Sequence, residues 1–150
     1  MRWNDLSQFF EVDGSLRDII VCETSVSDWD KLISLAFQLG EVSYQRDGEE
    51  AVLPPSAAVL MDDKEHAHCM KVDLGGPVAN AHFFSSDEIE LDIDPREIRS
   101  QPDLDLVLNF CASIGRKIER DVRITPENAP DVVYLLYSAK QKAWQSPMRQ

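Results

Sequence analysis

Metal-ligating side chains are concentrated in one stretch of this sequence, Asp62-Asp63-Lys64-Glu65-His66-Ala67-His68-Cys69. On an extended strand alternate side chains share a face, so His66 and His68 could turn toward one ion, with Asp62 or Asp63 completing the set. The spacing matches none of the zinc patterns in which Cys and His pairs recur at fixed separations. A polar run between two elements is also what a solvated connection looks like, so no metal and no other cofactor is assigned. His82 lies among Ala79, Ala81, Phe83 and Phe84 and reads as a hydrogen-bonded partner rather than a base.

The second chemical stretch is Ser85-Ser86-Asp87-Glu88-Ile89-Glu90-Leu91-Asp92-Ile93-Asp94. It alternates with period two, so Ile89, Leu91 and Ile93 point one way and Glu88, Glu90, Asp92 and Asp94 the other. Carboxylates in such a row stand about 6.5 to 7 Å apart and repel one another. Two readings follow. The row is a solvated outer face that keeps an exposed sheet edge from pairing with other chains, or it is a preformed anionic surface for a cationic partner. Asp62, Asp63 and Glu65 form a second candidate patch for the same partner.

No nucleophile elbow of the G-x-S-x-G type and no P-loop is present, and Gly75-Gly76-Pro77 is too short to cradle a phosphate. Carboxylates are abundant, but acid/base work needs two of them in opposed environments around one pocket. No catalytic residue is assigned, and the chain reads as a binding protein rather than an enzyme. Trp29 fits an apolar helix stripe, whereas Trp3 and Trp144 lie near the termini and are candidate interface aromatics.

The charge balance points the same way. The 150 residues carry a net charge of −12, and 43% of them are hydrophobic, enough for one domain with a real core. Residues 1–60 hold 4 basic and 11 acidic side chains, residues 61–100 hold 4 and 10, and residues 101–150 hold 7 and 6. The anionic field therefore belongs to the first two thirds. Such a balance argues against nucleic acid or an anionic membrane as a partner, because phosphate contacts need clustered Lys and Arg. It favours fast encounter with basic proteins. Cys22, Cys69 and Cys111 are widely spaced in apolar surroundings and read as reduced thiols, with one disulfide left open. Without a signal-like N-terminus or a membrane-length apolar run, a cytoplasmic location is expected.

The elements that must position these groups follow from periodicity. Leu6, Phe9 and Phe10 suggest a short opening turn or helix, and Ile19–Cys22 a buried first strand. Ser27 and Asp30 resemble a capping box for a helix with Trp29, Leu32, Ile33, Ala36 and Phe37 on its apolar stripe, stopping at Gly40. Val42–Gln45 and Ala51–Leu53 flank a turn at Asp47-Gly48, and Ser56 can cap a short helix through Met61. A three-stranded meander is expected over Cys69–Leu74, Val78–Phe84 and the acidic strand. A long helix over roughly 102–120 carries the stripe Leu104, Val107, Leu108, Cys111, Ile114 and Ile118. Val122–Thr125 and Val132–Tyr137 read as strands, with Ala143-Trp144 as a returning hairpin arm. The fold class predicted is α+β, a mostly antiparallel sheet with two main helices packed on one face, in a single domain spanning 1–150.

The segments Asn80-Ala81-His82-Phe83-Phe84-Ser85, Asp87–Glu97 and Thr125-Pro126-Glu127-Asn128 carry a resemblance. The chain resembles a group of small acidic bacterial proteins in which a sheet with an acidic strand is followed by a helix and a T-P-E-N loop. It is also similar in size and charge to immunity proteins of bacterial toxin systems. That second resemblance implies a cytoplasmic protein that binds and neutralises one cognate toxin, and it carries over no functional residue. The working expectation is an inhibitor whose carboxylates Glu88, Glu90, Asp92 and Asp94 dock on a basic surface. The alternative is a small metal- or ligand-dependent enzyme or sensor built on the His66/His68 region.

Overall fold

A computed structural model describes residues 1–147. Helix α1 (Trp3–Leu6) runs into a 3-10 turn (Ser7–Phe10), then strand β1 (Arg17–Cys22) and helix α2 (Val26–Leu39). Strands β2 (Glu41–Arg46) and β3 (Glu49–Glu50) form a hairpin, followed by helix α3 (Ala57–Asp62) and the strands β4 (His68–Asp73), β5 (Val78–Ala81) and β6 (Glu88–Ile93). After a 3-10 turn (Pro95–Glu97), helix α4 (Gln101–Ile118) leads to β7 (Val122–Pro126), β8 (Leu135–Ser138) and β9 (Ala143–Gln145). The fold is α+β: the nine strands make one sheet in the order β3-β2-β4-β5-β6-β1-β7-β8-β9, antiparallel at every step.

The sheet's apolar positions and the helices share one core. Ile19, Val21, Ile89, Leu91, Ile93, Val122 and Ile124 are fully buried in the same cluster as Trp29 and Leu32 of α2 and Leu104, Val107 and Ile114 of α4. Each large side chain so buried contributes about 1.5–3 kcal/mol relative to exposure. Register then fixes the other face. Glu90 pairs across with Ile20, Asp92 with Asp18 and with Asn80, and Asn80 in turn with Lys71, so these side chains share the opposite side of the sheet.

The acidic strand is central. β6 lies between β5 and β1, paired along its whole length with β1 and through Leu91 and Asp92 with β5, so it is not an edge strand and the edge-protection reading is removed. Other differences are local. The capping box is made by Ser25 and Asp28, two residues upstream of the expected Ser27 and Asp30. Asp30 instead accepts the backbone N–H of Ala57 at 2.8 Å and so caps α3, where Ser56 makes no capping bond. On α2, Phe37 is exposed and Leu35 takes its place in the core, because the buried stripe runs through Trp29, Leu32, Leu35 and Ala36.

Gly40 is extended rather than left-handed, and its need for glycine comes from packing: a Cβ there would meet the carbonyl oxygen of Asp73 at 2.5 Å. The β2–β3 turn follows the expected chemistry, with φ of 53° at Asp47 and 82° at Gly48, the paired positive values that a tight hairpin requires. Its second strand is only Glu49–Glu50, and Ala51–Leu53 is irregular. β8 likewise begins at Leu135, three residues later than the apolar run suggests. No helix among the described residues is long and apolar enough to cross a membrane.

Candidate functional site

Two polar regions converge near β5 and β6. The first is the sheet face built from β6. Its neighbour Asp18 on β1 is buried, although it lies on the side of the sheet opposite Ile19 and Val21, because the loop after β7 folds over it and Asn128 donates its backbone N–H to Asp18 Oδ2 at 2.9 Å. Burial raises the Asp18 carboxyl above its ordinary value, and burial together with Asp18 and Glu88 does the same to Glu90. Among the described residues neither Glu88 nor Glu90 has a cation within ion-pair distance. This is a compact anionic patch whose own members oppose one another.

The rest of the expected row is differently engaged. Asp92 accepts from Asn80 Nδ2 at 3.0 Å and from His82 Nε2 at 2.5 Å. Asp94 lies beyond the strand, where it caps the 3-10 turn through the backbone N–H of Arg96 at 2.9 Å and binds the Arg96 guanidinium at 2.7 Å. That pair holds Asp94 below its ordinary value. So the row divides: two carboxylates are free of cations and two are taken. Of the second expected patch, Asp62 and Glu65 are exposed, while Asp63 is half-buried and accepts the backbone N–H of Glu65 at 3.1 Å.

The second region is a cleft of about 510 Å³ at one end of the sheet, and it is lined by all three histidines of the chain together with Asp63, Lys64, Cys69, Phe83 and Phe84. Each imidazole has its own aspartate. His66 Nδ1 is 2.6 Å from Asp47 Oδ2 across the β2–β3 turn, His82 Nε2 is 2.5 Å from Asp92, and His68 Nε2 is 3.1 Å from Asp63 Oδ2. Hydrogen bonds donated to Asp47 and Asp92 raise His66 and His82 above the ordinary histidine value. Backbone N–H donation from Ala67, followed by the His66 contact, lowers Asp47.

His68 sits differently from the other two. It opens β4 on the core side of the sheet, where Tyr44 Oη and His68 Nδ1 are 2.5 Å apart and the two rings stack with centroids 5.9 Å apart. With the phenol donating to Nδ1, the ring proton sits on Nε2. That atom is buried and is not aligned for a hydrogen bond even to Asp63, although the residue lines the cleft. A buried donor left this way costs about 1–3 kcal/mol.

The far wall depends on a strained backbone. Phe83 has φ of 47°, a left-handed value that is unfavourable for a bulky residue. The kink puts the Phe83 ring into the core against Trp29, centroids 4.7 Å apart, while Trp29 Nε1 donates to the Ser85 carbonyl at 2.9 Å. The next ring, Phe84, is thereby turned outward, 67% exposed and stacked on His82 at 5.4 Å with planes 9° apart. An aromatic ring is thus held in water by its neighbours.

The expectation that His66 and His68 alternate along one strand is corrected. β4 starts at His68, so His66 belongs to the exposed connection before it, and the two rings are committed to different partners. Among the described residues no group of three or more His, Cys, Asp or Glu side chains is placed to hold a metal ion. Cys69 lines the cleft, but burial raises its thiol, which disfavours the nucleophilic thiolate. The cysteines are free, with Cys111 fully buried and its thiol pushed up by desolvation.

Sequence reasoning missed Asp18, Asp47 and Tyr44. Asp18 carried a signal, a lone acid opening the apolar run Ile19–Cys22; Tyr44 acts through His68 on the neighbouring strand and Asp47 through His66 in the connection before β4. Comparison of the chain with protein families, with curated proteins and with solved structures returned no match. The resemblance to immunity proteins therefore brings no residue to this site.

Proposed function

We propose that this protein binds a basic protein partner through the carboxylates of β6, as an immunity-type inhibitor binds and neutralises its cognate toxin. The observation that supports the reading is the Glu88/Glu90 patch beside Asp18, half-buried and, among the described residues, without a cation at ion-pair distance. A lysine or arginine brought against it relieves the mutual repulsion that raises Glu90, so the free protein is poised to gain from a cation. The reading takes the two main helices as lying together on the other side of the sheet, in keeping with the contact of α2 with α4 and their shared core with Ile89, Leu91 and Ile93. That arrangement leaves the acidic side of the central strands open to a partner.

Steering by an acidic face acts mainly on association and weakens as salt screens it. The test begins with recovery from the native cell lysate at low salt. A single stoichiometric basic partner is expected, released by moderate salt, lost with the double reversal E88K/E90K, and toxic when made without this protein. Retention of that partner by E88K/E90K with unchanged low-salt association would leave the acidic row a merely solvated face. The alternative, a ligand-dependent enzyme or sensor, draws on a different observation: the histidine-lined cleft.

A further inference from the structure

We infer that the cleft bounded by the β2–β3 turn, the 63–67 connection and the 82–84 segment is a binding site for a planar aromatic carboxylate. Three independent features of the cleft call for the two halves of such a ligand.

The aromatic half is called for by Phe84. Its ring is exposed, yet held in a fixed plane by stacking on His82, and the left-handed backbone at Phe83 is what presents it. Non-glycine residues in that conformation persist where surrounding structure enforces them, and they gather at ligand sites. A flat ring that slides over Phe84 covers apolar surface now facing water.

The anionic half is called for by the histidines. Asp47 engages His66 through Nδ1 and Asp92 engages His82 through Nε2, so the opposite nitrogen of each ring has no partner among the described residues. At the floor, His68 Nε2 is a buried donor with no aligned acceptor. All three histidines line one cavity, with Lys64 on its rim, and His66 and His82 each keep one ring nitrogen without a partner among the described residues. A carboxylate, with two oxygens and no proton, is the acceptor that such a set fits. The volume, about 510 Å³, is that of a site for a one- or two-ring molecule.

Protonation sets the pH dependence. His66 faces Asp47 and Arg46 from the hairpin and Asp63 from the end of α3; His82 faces Asp92 and Glu90 on β6 and Lys71 on β4. Both rings are held above the ordinary value of 6.5, so affinity for an anion is full below it and falls as pH rises through the raised values.

The experiment titrates 2-naphthoate into the full-length protein at pH 6, followed by amide and histidine ring NMR shifts, with 2-naphthylmethanol and cyclohexanecarboxylate as controls. Binding in roughly the millimolar range, the scale for a fragment of a dozen heavy atoms, is expected with shifts centred on Gly48, Ala67 and Phe84. Both controls should bind at least about fivefold more weakly, as should F84A, which removes an exposed ring and leaves the core intact. H66Q should weaken binding and flatten its pH dependence. Equal affinity for the neutral alcohol, equal affinity of F84A, or shifts lying outside the cleft would each overturn the assignment. The variant E88K should bind naphthoate as the wild type does, which separates this site from the proposed protein interface.

Discussion

On β6, Glu88 and Glu90 make no ion pair among the described residues, whereas in the cleft at the end of the same sheet Asp47, Asp63 and Asp92 each lie beside a histidine. The side-chain chemistry is the same and the electrostatic outcome is opposite. In the cleft, Asp47 and Asp92 hold His66 and His82 above the ordinary histidine value and are spent in doing so. On the strand, burial and like charge push Glu90 and Asp18 up, and the imbalance remains available to an incoming group. An acidic sequence therefore says little about where its charge is usable; pairing across strands decides that.

The comparison can be broken at several points. The largest effect is expected in the cleft floor, where Y44F leaves His68 Nδ1 buried without its phenol partner. Stability should fall by about 1–3 kcal/mol in urea unfolding, and an unchanged midpoint would mean that the floor tolerates an unpaired ring. Next comes E88K/E90K, which should slow association with the basic partner about tenfold at low salt and flatten its ionic-strength dependence. Stopped-flow mixing at two salt concentrations reads both.

A smaller effect separates the paired from the unpaired carboxylates by pH. His82 is raised in the folded state, so its bond to Asp92 contributes stability fully below pH 6.5, and that contribution is lost as pH rises through the folded value. The stability difference between the wild type and H82Q, at most about 1 kcal/mol because the pair is partly solvated, should shrink along the same path. The smallest change is E90Q. Glu90 is raised, so its carboxylate opposes folding above its folded value and is neutral in both states well below its ordinary 4.5. E90Q should stabilise the protein by about 0.2–1 kcal/mol at pH 7 and leave it unchanged at pH 3, a sign opposite to that of H82Q.

What could be read beforehand was what depends on neighbours in sequence. The stripe Leu104–Ile118 becomes α4, the alternation of Glu88–Ile93 becomes β6 with its isoleucines and leucine inward, and Asp47-Gly48 makes the hairpin turn. Helical spacing alone could not tell that Phe37 faces water while Leu35 faces the core, since both lie near the edge of the stripe. The placement of β6 between β5 and β1 depends on topology, which period-two alternation does not encode. The site was the least legible part. His82 meets Asp92 because β5 and β6 pair in one register, and His66 meets Asp47 because a turn 19 residues earlier comes back alongside it. His68 turned out to be a core residue for a simple reason: it occupies the first inward position of β4.

The sheet ends in two very short strands. β3 has two residues, both glutamates, and β9 has three. These outermost strands present only two and three residues of backbone to another chain, and the charge on β3 discourages pairing there further. On the proposed reading the partner engages side chains on a broad surface rather than adding a strand at these rims. Peptides that mimic a β-strand should fail to compete with such a partner, while compact domains with a cationic protrusion should succeed.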